Sequence, residues 1–239
     1  DERLIFMKNE FATNDKKIKR FSGLKPVLIT GATGTLGRAF AKICEIRNIP
    51  YKLLNRGDMN ITDPASIESA LEKFQPWAVI NATGYVRVDE AEVEVDKCMQ
   101  VNAFGAIALA EACKNVGIKV VTFSSDLVFD GASKKPYIES NPMKPLNIYG
   151  LSKKEAEEKI TALCPDALII RTSAFFGPWD EYNFVTQMMK HITKGNVFLA
   201  SSDNVVSPTY VPDLVNATLD LLIDQECGIW HLANPSEIT

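Results

Sequence analysis

Two side chains that can handle a proton stand four residues apart in the segment Tyr149-Gly150-Leu151-Ser152-Lys153. On a helix this spacing places the phenol of Tyr149 and the amine of Lys153 on one face. A nearby ammonium favours the phenolate, so we expect the pKa of Tyr149 to fall from its ordinary value toward neutrality. Such a phenol donates a proton to a carbonyl oxygen as hydride reaches the carbon, and the lysine can also hold a nicotinamide ribose. The alternative is a chance surface pair in which the lysine stem only packs against the ring.

A third candidate is Ser125, just after an apolar run over residues 120–123 that has the pattern of a buried strand. Its hydroxyl can donate a hydrogen bond to the same carbonyl oxygen. A glycine turn precedes these three residues along the chain, which is the order expected for a dinucleotide-dependent site. The combination makes a chance occurrence of the tyrosine–lysine pair much less probable. We therefore predict that Ser125, Tyr149 and Lys153 form one proton-handling site.

The glycine turn reads Gly31-Ala32-Thr33-Gly34-Thr35-Leu36-Gly37 and directly follows the apolar run Pro26-Val27-Leu28-Ile29-Thr30. Glycine lets the backbone turn tightly and lets a pyrophosphate approach without meeting a Cβ. The first N–H groups of the following helix carry partial positive charge toward that phosphate. The pattern predicts a dinucleotide site, although a plain strand-to-helix connection also uses such turns. A phosphate loop of the ATPase kind is disfavoured because no Gly-Lys-Ser/Thr closes the motif.

The end of the second predicted strand bears on the choice of cofactor. An acidic residue there would bind a ribose 2′-hydroxyl, but the chain has Asn55-Arg56. Arg56 can pair with a 2′-phosphate, which favours NADP(H) over NAD(H). The alternative is an arginine that only faces solvent.

Composition excludes several classes of protein. The chain has 239 residues, 46% of them hydrophobic, and a formal net charge of −4, so it has no basic footprint for nucleic acid. Its apolar runs are too short to span a bilayer. The five cysteines form no C-x-x-C pair, which predicts reduced thiols and a cytoplasmic protein. Neither His191 nor His231 lies in a metal-ligand pattern, so we predict no metal.

Strand and helix patterns alternate along the chain with short turns between them. Strand patterns cover residues 26–30, 51–54, 77–81, 120–123 and 167–171, and helix patterns cover 38–48, 63–74, 91–115, 149–163, 184–194 and 211–223. This order predicts an α/β fold: a Rossmann-type, doubly wound parallel sheet with a small, truncated C-terminal substrate-binding lobe. Ligands then bind at the carboxyl ends of the strands, and the turns at 31–37, 55–58, 81–85, 124–131 and 172–179 should converge there.

We predict three regions. Residues 1–24 are charged and weakly patterned, typical of a linker or the tail of an upstream region. Residues 25–172 form the dinucleotide-binding domain, and residues 173–239 supply the lobe together with segments that complete the sheet. Ser236 stands where it could cap a helix that the chain does not reach, so we expect missing material at one or both ends.

At this point the chain resembles a known family, the extended short-chain dehydrogenase/reductases, and within it the dTDP-4-dehydrorhamnose reductase group with its RmlD-like substrate-binding domain. The resemblance runs from about residue 26 to residue 235. It rests on Gly31-x-x-Gly34-x-Leu36-Gly37, Val79-Ile80-Asn81-Ala82, Val101-Asn102-Ala103, Ser124-Ser125-Asp126-Leu127-Val128-Phe129-Asp130-Gly131, Pro145-Leu146-Asn147-Ile148-Tyr149-Gly150-Leu151-Ser152-Lys153, Ile170-Arg171-Thr172-Ser173 and Ser207-Pro208-Thr209-Tyr210-Val211. The order and spacing of these motifs, taken together, are specific for this family.

The resemblance implies roles for individual residues. Ser125, Tyr149 and Lys153 would be catalytic. The cofactor would contact Gly31, Thr33, Gly34, Thr35, Leu36, Arg56, Asn60, Ile61, Ala82, Thr83, Tyr85, Asn102, Tyr149 and Lys153. The sugar nucleotide would contact Asp126, Asn147, Ala174, Asn183, Ser207 and Thr209. The implied reaction is NADP(H)-dependent reduction of the 4-keto group of a nucleotide-linked deoxysugar, in a protein that forms a homodimer or carries a fused upstream domain.

Two departures from the family pattern fall where the sugar should bind. Ala174 replaces the family's aromatic residue, and Thr83-Gly84-Tyr85-Val86-Arg87 replaces a smaller, neutral segment. Two alternatives therefore stay open. One is a nucleotide-sugar dehydratase or epimerase, although Leu127 after Asp126 removes the second carboxylate that elimination needs. The other is a non-catalytic, NADP-binding partner that resembles the regulatory subunit of methionine adenosyltransferase.

Overall fold

A computed structural model describes residues 25–178, 180, 183–200 and 205–238. The linker predicted over residues 1–24 and position 179 of the last predicted turn lie outside these ranges. Within them, six parallel strands form one sheet: β1 (Val27–Thr30), β2 (Tyr51–Leu54), β3 (Ala78–Asn81), β4 (Lys119–Ser125), β5 (Leu168–Thr172) and β8 (Gly228–His231). A separate short pair, β6 (Phe175–Phe176) and β7 (Thr209–Tyr210), lies in the C-terminal lobe.

Helices connect the strands in chain order. They are α1 (Thr35–Arg47), α2 (Pro64–Phe74), α3 (Val88–Ala91), α4 (Val95–Met99), α5 (Ala106–Asn115), α6 (Ile148–Leu163), α7 (Phe184–Thr193) and α8 (Val211–Ile223). A π-helical turn (Gln100–Gly105) joins α4 to α5, and a 3₁₀ turn (Asp126–Val128) follows β4. Local signals set the helix starts: the carboxylate of Asp63 caps α2 by accepting from the Ala65 N–H, with proline at the first helical position.

The sheet separates two apolar layers. On one face α1 and α8 pack against it through side chains such as Phe40 and Leu219, and on the other α2, α5 and α6 pack through Leu109 and Ile160. Strands buried on both faces are the reason that β1 and β3 read as unbroken apolar runs in the sequence. The predicted doubly wound parallel sheet is confirmed.

The strand order is β2-β1-β3-β4-β5-β8, and every neighbouring pair is parallel. The order reverses direction between β1 and β3, and the loops after these two strands leave the sheet on opposite sides. This topological switch point is the place where open α/β sheets form a crevice for a ligand.

The observed elements differ from the predicted ones in three places. The single helix expected over 91–115 is interrupted after α3 and then runs from α4 through the π-helical turn to α5, and the buried Asn102 in that turn bonds to Tyr85 in the loop after β3. β4 extends through Ser125, which we expected to lie after the strand. The edge strand β8 was not predicted, because its half-buried residues lack a clear alternation.

The C-terminal third of the chain contributes to both regions. β8 completes the main sheet beside β5, and α8 packs on α1. The lobe itself is built from β6, β7 and α7. Along the segments that the structure describes, no helix combines the length and the apolar composition needed to cross a lipid bilayer.

Candidate active site

The glycine turn forms a tight cradle at the switch point. Gly31 has a φ of +78°, and a Cβ built on it would stand 2.5 Å from the carbonyl oxygen of Ala82 after β3. A Cβ on Gly37 would collide with the carbonyl oxygen of Gly31. The backbones of the two crossing loops therefore touch, and only glycine fits at either position. Gly34 is the N-cap of α1 in extended geometry, and no side chain caps the start of this helix.

A buried polar network supports the cradle from below. The Thr30 hydroxyl donates to Asn81 Oδ1 at 3.1 Å, and the Thr83 hydroxyl donates to Thr30 Oγ1 at 2.8 Å. The backbone N–H of Thr83 also donates to Asn81 Oδ1 at 3.2 Å. These bonds tie the ends of β1 and β3 together, which fixes the predicted cofactor residues Ala82 and Thr83 beside Gly31.

Asn102 connects this loop to α6. Its side chain accepts from the Tyr85 N–H at 2.7 Å and donates to the Tyr85 carbonyl at 3.0 Å, a two-bond clasp on one residue. It also donates to Ser152 Oγ at 3.1 Å, and the Ser152 hydroxyl donates to the Tyr149 carbonyl at 2.6 Å. The supporting role expected for Asn102 therefore has a physical form: it joins the loop after β3 to the helix that carries Tyr149 and Lys153.

Lys153 is buried at the centre of the site. Its ammonium donates to the Phe123 carbonyl at 3.0 Å, two residues before Ser125, and lies 5.7 Å from the centre of the Tyr149 ring. A Cβ on Gly84 would stand 3.7 Å from the same nitrogen, so the loop after β3 also borders it. Burial lowers the pKa of Lys153 to about 8, while Cys98 and Glu157 act in the opposite direction.

The pKa of Tyr149 corrects one expectation. We predicted that Lys153 would lower it, but the pKa is raised well above its ordinary value. Burial of the phenol is the main cause, followed by the negative charge of Asp126. The phenol of the described structure therefore keeps its proton at neutral pH and is ready to act as an acid, not as a base.

The carboxylate of Asp126 accepts hydrogen bonds from two serines, Ser125 and Ser173. The Ser125 hydroxyl donates to Asp126 Oδ1 at 2.7 Å and accepts from the Leu127 N–H at 3.1 Å. The Ser173 hydroxyl donates to Asp126 Oδ2 at 2.6 Å. Sequence reasoning missed Ser173 as a site residue, although its position directly after β5, beside the neighbouring β4, is a signal that could have found it.

Two buried hydroxyls at the same edge of the sheet, Ser124 Oγ and Thr172 Oγ1, have no hydrogen-bond partner within the described part of the chain. Both belong to the last two residues of their strands, and Thr172 is the register partner of Ser125. Buried polar groups of this kind ordinarily have a partner. They mark the carboxyl edge of the sheet as a place suited to a polar ligand.

Other predicted cofactor residues lie around the cradle in different settings. Arg56 is exposed in the turn after β2. Asn60 accepts from the N–H and hydroxyl of Thr62, and the buried Ile61 packs against Gly105 in the π-helical turn. Tyr85 donates its hydroxyl to Glu94 at 2.7 Å, which raises the pKa of that phenol to about 12.

The predicted sugar residues are less concentrated. Asn147 and Asn183 both serve as N-caps, accepting from the N–H of Gly150 at the start of α6 and of Thr186 at the start of α7. The exposed Ala174 adopts a φ of +35°, and its carbonyl accepts from the Thr209 N–H at 3.4 Å. The buried Thr209 in turn donates its hydroxyl to the Ser207 carbonyl at 3.3 Å. Ala174, Ser207 and Thr209 thus lie together at the short β6–β7 pair.

A parallel sheet in this order, with a glycine cradle at its switch point and a tyrosine–lysine pair beside it, defines a Rossmann-type protein of the short-chain dehydrogenase/reductase class. The match to a family model narrows the class. The chain belongs to the RmlD substrate binding domain family, whose model matches residues 25–239. The family expected from the sequence motifs is confirmed.

Individual relatives agree with this assignment. The chain is 36% identical over 210 residues to the spore coat polysaccharide biosynthesis protein SpsK of Bacillus subtilis, covering 87% of this chain and 73% of that protein. It is 34% identical to a dTDP-4-dehydrorhamnose reductase of Streptomyces griseus, covering 89% and 71% of the two chains. A crystal structure of dTDP-4-dehydrorhamnose reductase from Bacillus anthracis in complex with NADP matches with a TM-score of 0.85 and 31% identity, covering 90% of this chain and 76% of that one.

Proposed function

We propose that this protein reduces the 4-keto group of a nucleotide-linked deoxysugar with NADP(H). The observation that carries the proposal is that one loop, the loop after β3, borders both halves of the site: its Ala82 backbone abuts Gly31, and its Gly84 lies beside Lys153, whose ammonium is 5.7 Å from the centre of the Tyr149 ring. It brings a dinucleotide cradle and a protonated phenol to one edge of the sheet. The names of the relatives, dTDP-4-dehydrorhamnose reductases among them, support the substrate class.

The chain's own residues fit a dinucleotide. The start of α1 has glycine at its N-cap and no side-chain cap, so its first N–H groups suit a pyrophosphate. Lys153 can hold a ribose hydroxyl, and the exposed Arg56 can pair with a 2′-phosphate. When bound, a reduced nicotinamide ring supplies the hydride that a ketone carbon takes up.

Tyr149 supplies the proton for the ketone oxygen. Its raised pKa means that the phenol is protonated before the reaction, and donation leaves a phenolate beside a buried ammonium. Lys153 stabilises that phenolate, because the low dielectric constant of the buried site strengthens the attraction between the two charges. A protonated phenol with a stabilised conjugate base is what proton donation to a ketone oxygen requires.

Ser125 orients the ketone after its hydroxyl turns. In the described geometry its proton points to Asp126, so a hydrogen bond to a substrate oxygen requires the hydroxyl to rotate away from that carboxylate. Ser173 continues to hold the other oxygen of Asp126. The carboxylate oxygen released by Ser125 can then accept from a sugar hydroxyl, which agrees with the substrate role predicted for Asp126.

The test is Tyr149→Phe in the full chain, with NADPH consumption measured against a panel of keto-sugar nucleotides. We expect turnover to fall by at least about 100-fold while NADPH binding is retained, since only the acid is removed. Tyr51→Phe is the matched control, because it removes an exposed hydroxyl that bonds to Glu45 on the far side of α1. Turnover retained by Tyr149→Phe would refute the assigned acid.

Adding a dTDP-hexose to this panel separates the alternatives. NADPH binding without consumption of any candidate would favour a non-catalytic partner, and release of a 4-keto-6-deoxy sugar from a dTDP-hexose without added reductant would favour a dehydratase. The identity of the sugar, the homodimer, the fused upstream domain and the cytoplasmic location stay predictions.

A further inference from the structure

A buried ion pair lies directly behind the active-site lysine. Glu157 follows Lys153 by one helical turn on α6, so Tyr149, Lys153 and Glu157 succeed one another at intervals of four residues. The Glu157 carboxylate accepts from Arg171 Nε at 3.0 and 3.1 Å and from its terminal nitrogen at 2.7 Å. Only 2% of the Glu157 side chain and 4% of the Arg171 side chain are exposed.

Arg171 is itself held from several sides. Its other terminal nitrogen donates to the Glu139 carbonyl at 3.2 Å and lies 3.1 Å from His231 Nε2 on β8. The guanidinium carbon stands 5.0 Å from the centre of the Phe129 ring. With the guanidinium fixed in this way, the fork of bonds leaves the Glu157 carboxylate a single orientation.

Stability alone does not explain such a pair. Removing two charges from water offsets most of their mutual attraction, so a buried ion pair adds little net stability over apolar side chains of similar volume. Within the pair, the fixed Glu157 carboxylate is the charge that lies a single helical turn from the buried ammonium, and Glu157, not Arg171, acts on the pKa of Lys153. A buried ammonium needs such a charge, because burial favours its neutral form.

We propose that Glu157, held by Arg171, is a positioning residue that keeps Lys153 charged for the proposed reduction. The inference rests on the proposed function for its catalytic meaning. Lys153 must carry its positive charge both to hold a ribose hydroxyl and to stabilise the Tyr149 phenolate. Glu157 touches neither substrate nor cofactor in this scheme and acts only through Lys153.

The charged and titratable neighbours of Lys153 determine whether loss of the Glu157 charge raises or lowers the pKa of Lys153. Cys98 of α4 and Glu157 of α6 both favour the ammonium, and burial opposes them. Tyr149 stays protonated near neutral pH, so it contributes no charge there. Behind Glu157 stand Arg171, His231 and the carboxylate of Glu139, which accepts from the His231 N–H at 2.9 Å. Removal of the Glu157 charge should therefore lower the pKa of Lys153 further below its ordinary value.

The primary experiment titrates the side-chain ¹⁵N signal of Lys153 by NMR in the ligand-free full chain, with Lys153→Arg used for assignment. In Glu157→Gln we expect the titration midpoint to fall by about one pH unit. Glu157→Asp should restore most of the midpoint because it keeps the charge. Glu158→Gln is the matched control: it removes the neighbouring, exposed carboxylate, which pairs with Lys154 at 3.8 Å, and should leave the midpoint unchanged.

A second variant separates charge from folding. Glu157→Gln leaves Arg171 buried without its partner, so the double variant Glu157→Gln/Arg171→Met removes both charges and avoids a lone buried guanidinium. We expect it to fold and still to show the lowered midpoint. An unchanged midpoint in a folded single or double variant would overturn the proposal, since the pair would then be structural only.

A kinetic measurement adds a separate readout. The alkaline limb of kcat/KM for keto-sugar reduction should move to lower pH by the same amount in Glu157→Gln, with the acid limb unmoved. A limb that stays in place while the NMR midpoint moves would overturn the catalytic part of the proposal. Absence of turnover in the wild type itself would count against the proposed function, whereas the NMR midpoint decides the role of Glu157 independently.

Discussion

Tyr149 and Lys153 show how burial changes the chemistry of a familiar spacing. The four-residue interval correctly places the phenol ring near the ammonium, at 5.7 Å. Burial then raises the pKa of the phenol and lowers the pKa of the amine to about 8. Both shifts favour neutral forms, so the charge of Lys153, and not the ionisation of Tyr149, is the quantity that titrates near physiological pH.

Lys153→Met tests this burial through stability. The unfolded chain holds the lysine proton up to about pH 10.5, and the folded chain releases it near pH 8, so wild-type stability should rise with pH between these values. Below pH 8 the buried charge costs about 3 kcal/mol. We expect the stability gained by Lys153→Met to be largest at pH 7 and to shrink by a similar amount toward pH 10.5.

The measurement is urea unfolding of both proteins at several pH values, and the change in their difference with pH is the quantity of interest. Lys154→Met serves as the control, because Lys154 is partly exposed and pairs with Glu158 at the surface. A difference between wild type and Lys153→Met that is independent of pH would contradict the assigned burial of the charge.

Among the elements, the turn between β1 and α1 has two functions, backbone packing and the predicted phosphate binding, and different glycines serve each. Gly31 and Gly37 allow the close approach of two backbones, since a Cβ on either meets a carbonyl oxygen. Gly34 has an ordinary φ of −86°, and a Cβ there would reach Gly31 O only at 3.4 Å, an ordinary contact. The fold itself therefore places no steric demand for glycine on position 34.

Substitution by alanine should separate these tasks. Gly37→Ala forces a clash with backbone and should destabilise the fold by several kcal/mol. Gly34→Ala should change the free energy of unfolding by less than about 1 kcal/mol, yet weaken NADPH binding at least tenfold, because its Cβ would intrude on the pyrophosphate predicted to bind at this turn. Thermal unfolding and fluorescence titration with NADPH measure the two effects. Gly34→Ala that binds NADPH normally would show that the pyrophosphate does not lie there.

On the scale of the whole molecule, a dinucleotide that binds across the switch point bridges the loops after β1, β2 and β3. Any ligand that binds only the folded state adds stability, about 2.7 kcal/mol at a concentration of 100 times Kd. We therefore expect NADPH to raise the unfolding temperature more than NADH does at equal concentration, because Arg56 can pair with the 2′-phosphate.

Arg56→Gln provides the contrast. It should remove most of the extra stabilisation by NADPH and leave that by NADH unchanged, as measured by differential scanning calorimetry. Arg38→Gln is a suitable control, since Arg38 is an exposed arginine of α1 that carries no predicted role. Equal stabilisation by both cofactors in the wild type would contradict the predicted preference.

Much of this architecture follows from local sequence. Apolar runs buried on both faces identify β1 and β3, the Asp63-Pro64 start signal identifies α2 to within a residue, and the helical pattern over 211–223 matches α8. The glycine turn, Tyr149 and Lys153 could be read as one site because a parallel sheet brings the ends of its strands to one edge. These features depend on periodicity and on short motifs, both of which are contained in short stretches of the sequence.

Other features depend on partners far away along the chain. Asn102 in the π-helical turn bonds to Tyr85 and Ser152, and the pairing of Ser173 with Asp126 spans 47 residues. β8 becomes a strand because β5 offers it an edge, not because of its own pattern. The pKa of Tyr149 moves against the expected direction because burial is a property of the packed molecule. The sequence by itself determined the family and the sheet and predicted the residues of the site; the charge state of those residues was decided only by the tertiary structure, since desolvation depends on everything that surrounds a group.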